Sequence, residues 1–204
     1  MNVGSQNILP INIHRKRGKL YYNIAAPALN QDLKLDANGV PDLAQNPDFI
    51  FIGATESGYD FTAEPTYYEE NVDEEDSPIE VGVESVAAQI AFSALEVLDI
   101  ENKADMIPWG TYSTNTVGGV TTKRITAGGD RIILPAMPMA VVSPTKAGGW
   151  VGVIFYAGYN SGSHTLQFKK TERSKQDMVI KALSVPTRTD GDKLYREFNI
   201  PAPA

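Results

Sequence analysis

Two stretches of the chain show the clearest strand pattern: Tyr59-Asp60-Phe61-Thr62-Ala63-Glu64 and Val86-Ala87-Ala88-Gln89-Ile90-Ala91-Phe92-Ser93-Ala94. In both, apolar side chains occupy every second position and polar, acidic or small ones lie between them. A period of two is typical of a strand with one buried face, because successive side chains point to opposite sides of a sheet. We therefore expect two long strands whose core-facing residues are Tyr59, Phe61, Ala63, Val86, Ala88, Ile90 and Phe92.

Further strand-like segments surround this pair. They cover residues 20–24, 48–52, 120–126, 150–159, 165–168 and 178–185, with Gly-rich turns after the third and fourth. Short strands separated by such turns predict a mainly β protein built as an antiparallel β-sandwich or barrel. Residues 131–142 are also strand-like, but Pro135 and Pro138 argue against a central strand and favour an edge or a bulge.

One short α-helix is expected beside the sheet. Val97, Ile100, Ala104 and Ile107 recur at helical spacing, and Pro108 follows where a helix would end. We expect this apolar side of the helix to cover an open side of the sandwich.

The 204 residues fit one domain, 1–204. Residues 1–18 are predicted to form an extended N-terminal arm, and 30–47 and 69–78 are predicted to be loops. The first ten residues and both loops are too polar to contribute to the core, so we expect them to become ordered between subunits.

Composition argues against most enzyme chemistry. The chain has no cysteine and two histidines, His14 and His164, which lie far apart in sequence. Glycine-rich phosphate-binding motifs are absent, and Ser161 near His164 lacks a marked acid to complete a triad. We predict no enzymatic activity, no cofactor and no catalytic or metal-binding residues.

The acidic charge is concentrated in one part of the chain. Residues 56–105 hold 15 of the 25 acidic residues and one base, Lys103, while the whole chain carries a net charge of −7. Tight nucleic-acid binding needs a clustered positive surface, which this pattern does not predict. No apolar run approaches the length of a membrane span, and Met1 to Pro10 does not resemble a signal peptide. We therefore expect a soluble product of a cytoplasm, without membrane insertion.

Two features leave a binding function open. The cluster Asp73-Glu74-Glu75-Asp76 could attract a calcium ion, although it lacks the order of an EF-hand loop and equally fits a solvated loop. Tyr67, Tyr68 and Trp150 could stack on a sugar or pack within the protein. The alternative function is accordingly a β-sandwich binding module, either a capsid decoration protein or a carbohydrate-binding domain.

A longer pattern indicates a family. Gly53-Ala54-Thr55-Glu56-Ser57-Gly58 precedes Thr62-Ala63-Glu64-Pro65-Thr66-Tyr67, followed by an acidic loop with Pro78 and an alternating strand ending at Ala94-Leu95-Glu96. Over about residues 51–107, this order resembles the major tail tube proteins of long-tailed, siphovirus-type bacteriophages. The Pro-interrupted segment 132–144 does not match a part of that pattern.

The resemblance implies a structural virion protein in the phage tail, assembled in the host cytoplasm. Rings of six subunits would stack into a hollow tube around a tape-measure protein, with tail-end proteins as further partners, and DNA would pass through without specific binding. On this view Asp60, Thr62, Glu64, Gln89 and Ser93 face the lumen. The loop residues Asp73, Glu74, Glu75 and Asp76 are expected to contact the next ring.

Overall fold

The computed structural model describes residues 18–29, 31–52, 55–70, 80–94, 107, 110–128, 136–162 and 176–202. The strands within these ranges are β1 (Lys19–Tyr22), β2 (Ile50–Phe51), β3 (Thr55–Glu70), β4 (Glu80–Ala94), β5 (Gly110–Val117), β6 (Val120–Ala127), β7 (Met137–Pro144), β8 (Trp150–Asn160), β9 (Gln176–Ala182) and β10 (Tyr195–Ile200). The described part is mainly β and contains no helix, and hence no helix able to cross a membrane.

Eight strands form one antiparallel sheet. Their order is β2-β1-β7-β8-β9-β4-β3, and β10 pairs with the first half of β8. The second half of β8 pairs with β9. Strands β5 and β6 form a separate two-stranded sheet. The antiparallel, mainly β class expected from the sequence is therefore confirmed.

Two hydrophobic clusters flank the central strands of the sheet. On β8, Val153 and Phe155 belong to one cluster, whereas Ile154 and Tyr156 belong to the other. Successive residues of β1 and β7 divide in the same way, so these strands are buried on both faces. Strand β4 contributes to the first cluster only, through Ala88, Ile90, Phe92 and Ala94. The sheet thus changes from two buried faces at its centre to one buried face at β4.

Strand β7 corrects the expectation for the Pro-containing segment, because it is a central strand between β1 and β8. The register between β7 and β8 is irregular between Met137 and Met139, so Pro138 lies in a bulge. The regular hydrogen bonds between the strands are interrupted there, so the missing N–H of proline is tolerated. The expected bulge is present, but the expectation that this segment is not a central strand was wrong. The backbone oxygen of Pro138 still accepts a hydrogen bond, from the Ile24 amide at 3.3 Å.

Other sequence-based expectations have different outcomes. Strands β5 and β10 were not predicted. Residues 69 and 70 belong to β3 rather than to a loop, whereas the described part of 30–47 contains only one isolated bridge, between Leu35 and Pro41. Four predicted features lie outside the described residues. They are the strand 165–168, the N-terminal arm apart from Gly18, the acidic loop residues Asp73, Glu74, Glu75 and Asp76, and the helix apart from Ile107. Ile107 is buried.

A charged network holds the C-terminal strand in place. The Asp192 carboxylate, just before β10, accepts hydrogen bonds from the Tyr156 hydroxyl, from Arg188 Nη2 at 2.6 Å and from Arg196 Nη2 at 2.7 Å. The Arg188 guanidinium also stacks 3.6 Å from the centre of the Tyr156 ring and donates to the Pro27 backbone oxygen at 2.9 Å. The network thereby joins β8, the segment before β10 and the loop after β1.

The same network changes the acidity of its members. Burial opposes ionisation of Asp192, but the hydrogen bonds from Tyr156, Arg196 and Arg188 outweigh it and lower the pKa of Asp192 to about 2. Burial, together with the hydrogen bond to Asp192, raises the pKa of Tyr156 to about 12. Asp192 is therefore ionised in the folded protein at pH values where an unfolded aspartate is largely protonated.

We predict that Asp192→Asn lowers the free energy of unfolding by about 2 kcal/mol at pH 7, because it leaves two half-buried arginines without their carboxylate. The pKa of the unfolded aspartate is about 3.9, so the ionised group stabilises the fold above that pH and loses its contribution as pH falls towards 2. Urea denaturation between pH 2 and pH 7 should show a flatter pH dependence in the variant. The matched control is Asp190→Asn, which removes an exposed ion pair with Lys193 and should change the free energy of unfolding much less than Asp192→Asn does.

Candidate functional site

The most exposed part of the large sheet is the hairpin formed by β3 and β4. Close to the core, the register of the hairpin pairs Tyr59 with Phe92, Phe61 with Ile90 and Ala63 with Ala88. All of these residues except the half-buried Ala63 belong to the first core cluster or pack against it. Beyond them, residues 64–70 and 80–87 are exposed except for the half-buried Gly82. We call these two ranges the distal half of the hairpin. The paired strands continue there after the core has ended.

The core-facing side of the hairpin stays mainly apolar along the distal half. Pro65 pairs with Val86, Tyr67 pairs with Val83, and Val81 lies opposite Glu69. Tyr67 and Val81 are each 58% exposed, Val83 is 55% exposed and Val86 is 41% exposed. We call Pro65, Tyr67, Val81, Val83 and Val86 the apolar stripe. The placement of Val86 in the core was therefore wrong, although its face was predicted correctly.

A bulge keeps the stripe on one face. Thr66 pairs with Ser85 and the next residue, Tyr67, pairs with Val83, so Glu84 is an extra residue in β4. The buried residues of β4 have even numbers, and strict alternation would send Val81 and Val83 to the opposite side of the sheet. The extra residue shifts the phase by one and returns both valines to the core-facing side.

The other face of the hairpin is polar. Asp60 lies opposite Ala91, Thr62 opposite Gln89 and Glu64 opposite Ala87. Asp60 and Glu64 are exposed, whereas Thr62, Gln89 and Ser93 are half-buried. The five residues predicted to face a lumen therefore share this polar face. The Ser93 hydroxyl also donates a hydrogen bond to the Asp177 carboxylate on β9, which fixes one end of the face.

The outer edge of β3 is a second feature of the hairpin. Strand β3 has 16 residues, stands last in the sheet and pairs only with β4 among the described strands. A long free edge can pair with another chain, and natural proteins usually protect it with charges or proline. Pro65 and the glutamates at 64, 69 and 70 provide such protection without removing the edge.

The β5–β6 hairpin also stands apart from the large sheet. Its two-residue turn, Gly118-Gly119, has positive φ angles of 60° and 80°, the backbone that tight hairpin turns require and glycine adopts without strain. Val117 and Val120 next to this turn are each 69% exposed. The hairpin is mainly polar, with Lys123 and Arg124 as its charged residues. Its exposed surface therefore ends in an apolar tip.

Other candidate sites have structural explanations. Asp36 and Asp42, which line a groove of about 750 Å³ beside Asn199, accept hydrogen bonds from nearby backbone amides. Among the described residues no group of three or more His, Asp or Glu could hold a metal ion. Ser161 donates to the Val179 backbone oxygen, and His164 lies outside the described residues.

The aromatic residues considered for sugar stacking do not form one platform. Trp150 packs against the second core cluster and lies over Gly39. Tyr67 and Tyr68 are neighbours on β3 and therefore point to opposite faces of the hairpin. The Tyr68 ring covers Gly82, and its hydroxyl lies 3.2 Å from Glu80 Oε1.

Comparison with known proteins identifies no family for this chain. No protein-family model matches the sequence, and no curated protein matches it. The hairpin geometry is therefore the basis for a functional proposal.

We predict that Val83→Thr changes the free energy of unfolding by less than about 0.5 kcal/mol, because this valine is exposed in the isolated chain. Ile90→Thr on the same strand should lower it by about 2 kcal/mol, because it removes a buried methylene and buries a hydroxyl. Chemical denaturation at low protein concentration measures both. Equal losses in the two variants would show that the stripe is part of the monomer core.

Proposed function

We propose that this protein is the structural subunit of a hollow bacteriophage tail tube and assembles into stacked rings of six. The observation that carries the proposal is the apolar stripe, an extension of the core face for which the described chain provides no cover. Exposed apolar surface rimmed by charges is typical of protein–protein contact sites. A stripe that continues the core of its own sheet fits best against another β structure, which a second copy supplies.

The free edge of β3 supports self-assembly in a second way. Neighbouring subunits that pair strands along their hairpins would extend the sheet from one copy to the next, and closure of the ring would remove the free edges. The resulting architecture would be a continuous barrel, with each subunit's sandwich packed around it. The predicted helix, which carries Val97, Ile100 and Ala104, would cover the open side of that sandwich.

The polar face would then line the channel. It carries Asp60 and Glu64 with small or uncharged neighbours, and sixfold repetition would turn each carboxylate into a ring of negative charge. A basic wall would bind the phosphates of passing DNA, whereas an acidic or polar wall lets the duplex slide. The tape-measure protein and tail-end proteins remain the proposed partners, and the acidic loop 73–76 remains the proposed contact to the next ring.

The alternative, a carbohydrate-binding or capsid decoration module, has less support. It would use Tyr67, Tyr68 and Trp150 as a recognition surface, but the three residues lie on different faces or elements. Such a module would also give a discrete monomer or trimer instead of a polymer.

We predict that concentrated wild-type protein forms rings or tubes with a central hole in negative-stain electron microscopy. Val83→Glu should remain monomeric in sedimentation velocity at the same concentration, because it places a charge in the apolar stripe. Leu29→Glu is the matched control and should assemble like the wild type, since Leu29 is 50% exposed and lies outside both the stripe and the loop 30–47. A wild-type protein that stays monomeric or forms a discrete trimer would contradict the proposal.

We also predict that phage particles carrying Asp60→Lys with Glu64→Lys assemble tails but deliver DNA more slowly, most strongly at low salt, where charges are least screened. The control is Asp48→Lys with Glu197→Lys, which makes the same charge change at exposed positions off the hairpin. The rate of DNA release measures the effect. A density map that places Asp60 and Glu64 on the outside of the tube would refute the channel assignment.

A further inference from the structure

The two exposed hairpins carry opposite charges. The distal half of the β3–β4 hairpin contains five glutamates and no basic residue, with the glutamates at positions 64, 69, 70, 80 and 84. The β5–β6 hairpin contains Lys123 and Arg124 and no acidic residue. Both surfaces also expose valines. Charge and hydrophobicity are thus matched between two parts of the same chain.

The β5–β6 hairpin has a distinct face suited to contact. The register pairs Val117 with Val120 and Ser113 with Arg124, and the alternation along each strand puts these two pairs on the same side. All four residues are exposed. A two-stranded hairpin is marginally stable alone in water and is stabilised when a further β structure packs on it.

We propose that, in the assembled ring, the β5–β6 hairpin of one copy docks on the apolar stripe of the next copy. Val117 and Val120 would pack against Tyr67 and Val83. Arg124 would pair with Glu69, which shares the face of the stripe because it lies opposite Val81. This assignment rests on the proposed function and names the surface of the partner.

The alternative of two stripes packing against each other is disfavoured by charge. Such a contact would place the Glu69 carboxylates of both copies in the interface, because Glu69 lies on the face of the stripe, and like charges across an interface reduce affinity. Docking of the β5–β6 hairpin replaces this repulsion with attraction. Docking also joins two different surfaces, so each copy uses its β5–β6 hairpin on one neighbour and its apolar stripe on the other. This is the head-to-tail type of contact from which closed rings are built.

A charge swap tests the pairing. Arg124→Glu and Glu69→Arg should each raise the critical concentration for assembly about tenfold or more, because each places like charges in every contact. An equimolar mixture of the two variants should assemble at close to the wild-type concentration, since alternating copies restore opposite charges at every contact of a six-membered ring. The double variant, Arg124→Glu with Glu69→Arg in one chain, should do so alone. Pelleting and electron microscopy measure all four samples.

Controls separate this pairing from general charge effects and from misfolding. Lys146→Glu and Glu197→Arg make the same changes at exposed positions outside both hairpins and should assemble like the wild type. Thermal melts of Arg124→Glu should match the wild type, and Arg124→Lys should retain assembly if folding is intact.

The outcomes distinguish this inference from the proposed function. Wild-type tubes with equally good tubes from Arg124→Glu, or single variants that neither the mixture nor the double variant rescues, would overturn the docking and leave the tube intact. A wild-type protein that forms no rings or tubes would overturn the proposed function itself.

Discussion

The structure depends on one apolar face that runs along the β3–β4 hairpin from the core to the exposed distal half. Near the body this face packs on the central strands, where the Phe61 ring lies 6.1 Å from that of Phe155 and 5.2 Å from that of Tyr195. Further out, the same face stays mainly apolar but is exposed to solvent. Burial of the first part holds the hairpin on the sheet, so the second part is presented in a fixed direction.

The bulge at Glu84 makes this arrangement possible. Without it, Val81 and Val83 would join Asp60 and Glu64 on the polar face, and the core-facing side of the distal half would keep only Pro65, Tyr67 and Val86 of the stripe. The sequence contains a sign of the bulge, because the valines at 81 and 83 are out of phase with Val86, Ala88 and Ile90. A phase change of this kind is a local signal, so the exposed stripe could have been predicted from the sequence.

The sequence predicted the features that follow from local alternation of apolar and polar residues. It missed the features that depend on tertiary contacts. The faces of β3 and β4 followed from period two, whereas the burial of Val86 depends on where the body ends. Strand β10 was missed because Phe198 is its one buried residue, and β5 because its Thr, Ser and Asn side chains show no apolar alternation. The central position of β7 follows from a bulge that accommodates Pro138. The proposed function of the polar face would depend on neighbouring copies, which no single chain contains.

The glutamates of the distal half would favour the proposed assembly in two ways. A long exposed strand edge beside an apolar stripe would promote indiscriminate aggregation in an uncharged chain. The like charges of the distal half, with Glu69 on the face of the stripe, would oppose contact between two such stripes and keep free copies apart at low concentration. The same charges favour a neutral or basic β surface, and the chain carries one on its other exposed hairpin. The same glutamates would therefore protect the free chain from aggregation and select the neighbour's surface. The proposed assembly then needs no separate mechanism to prevent contact between two stripes.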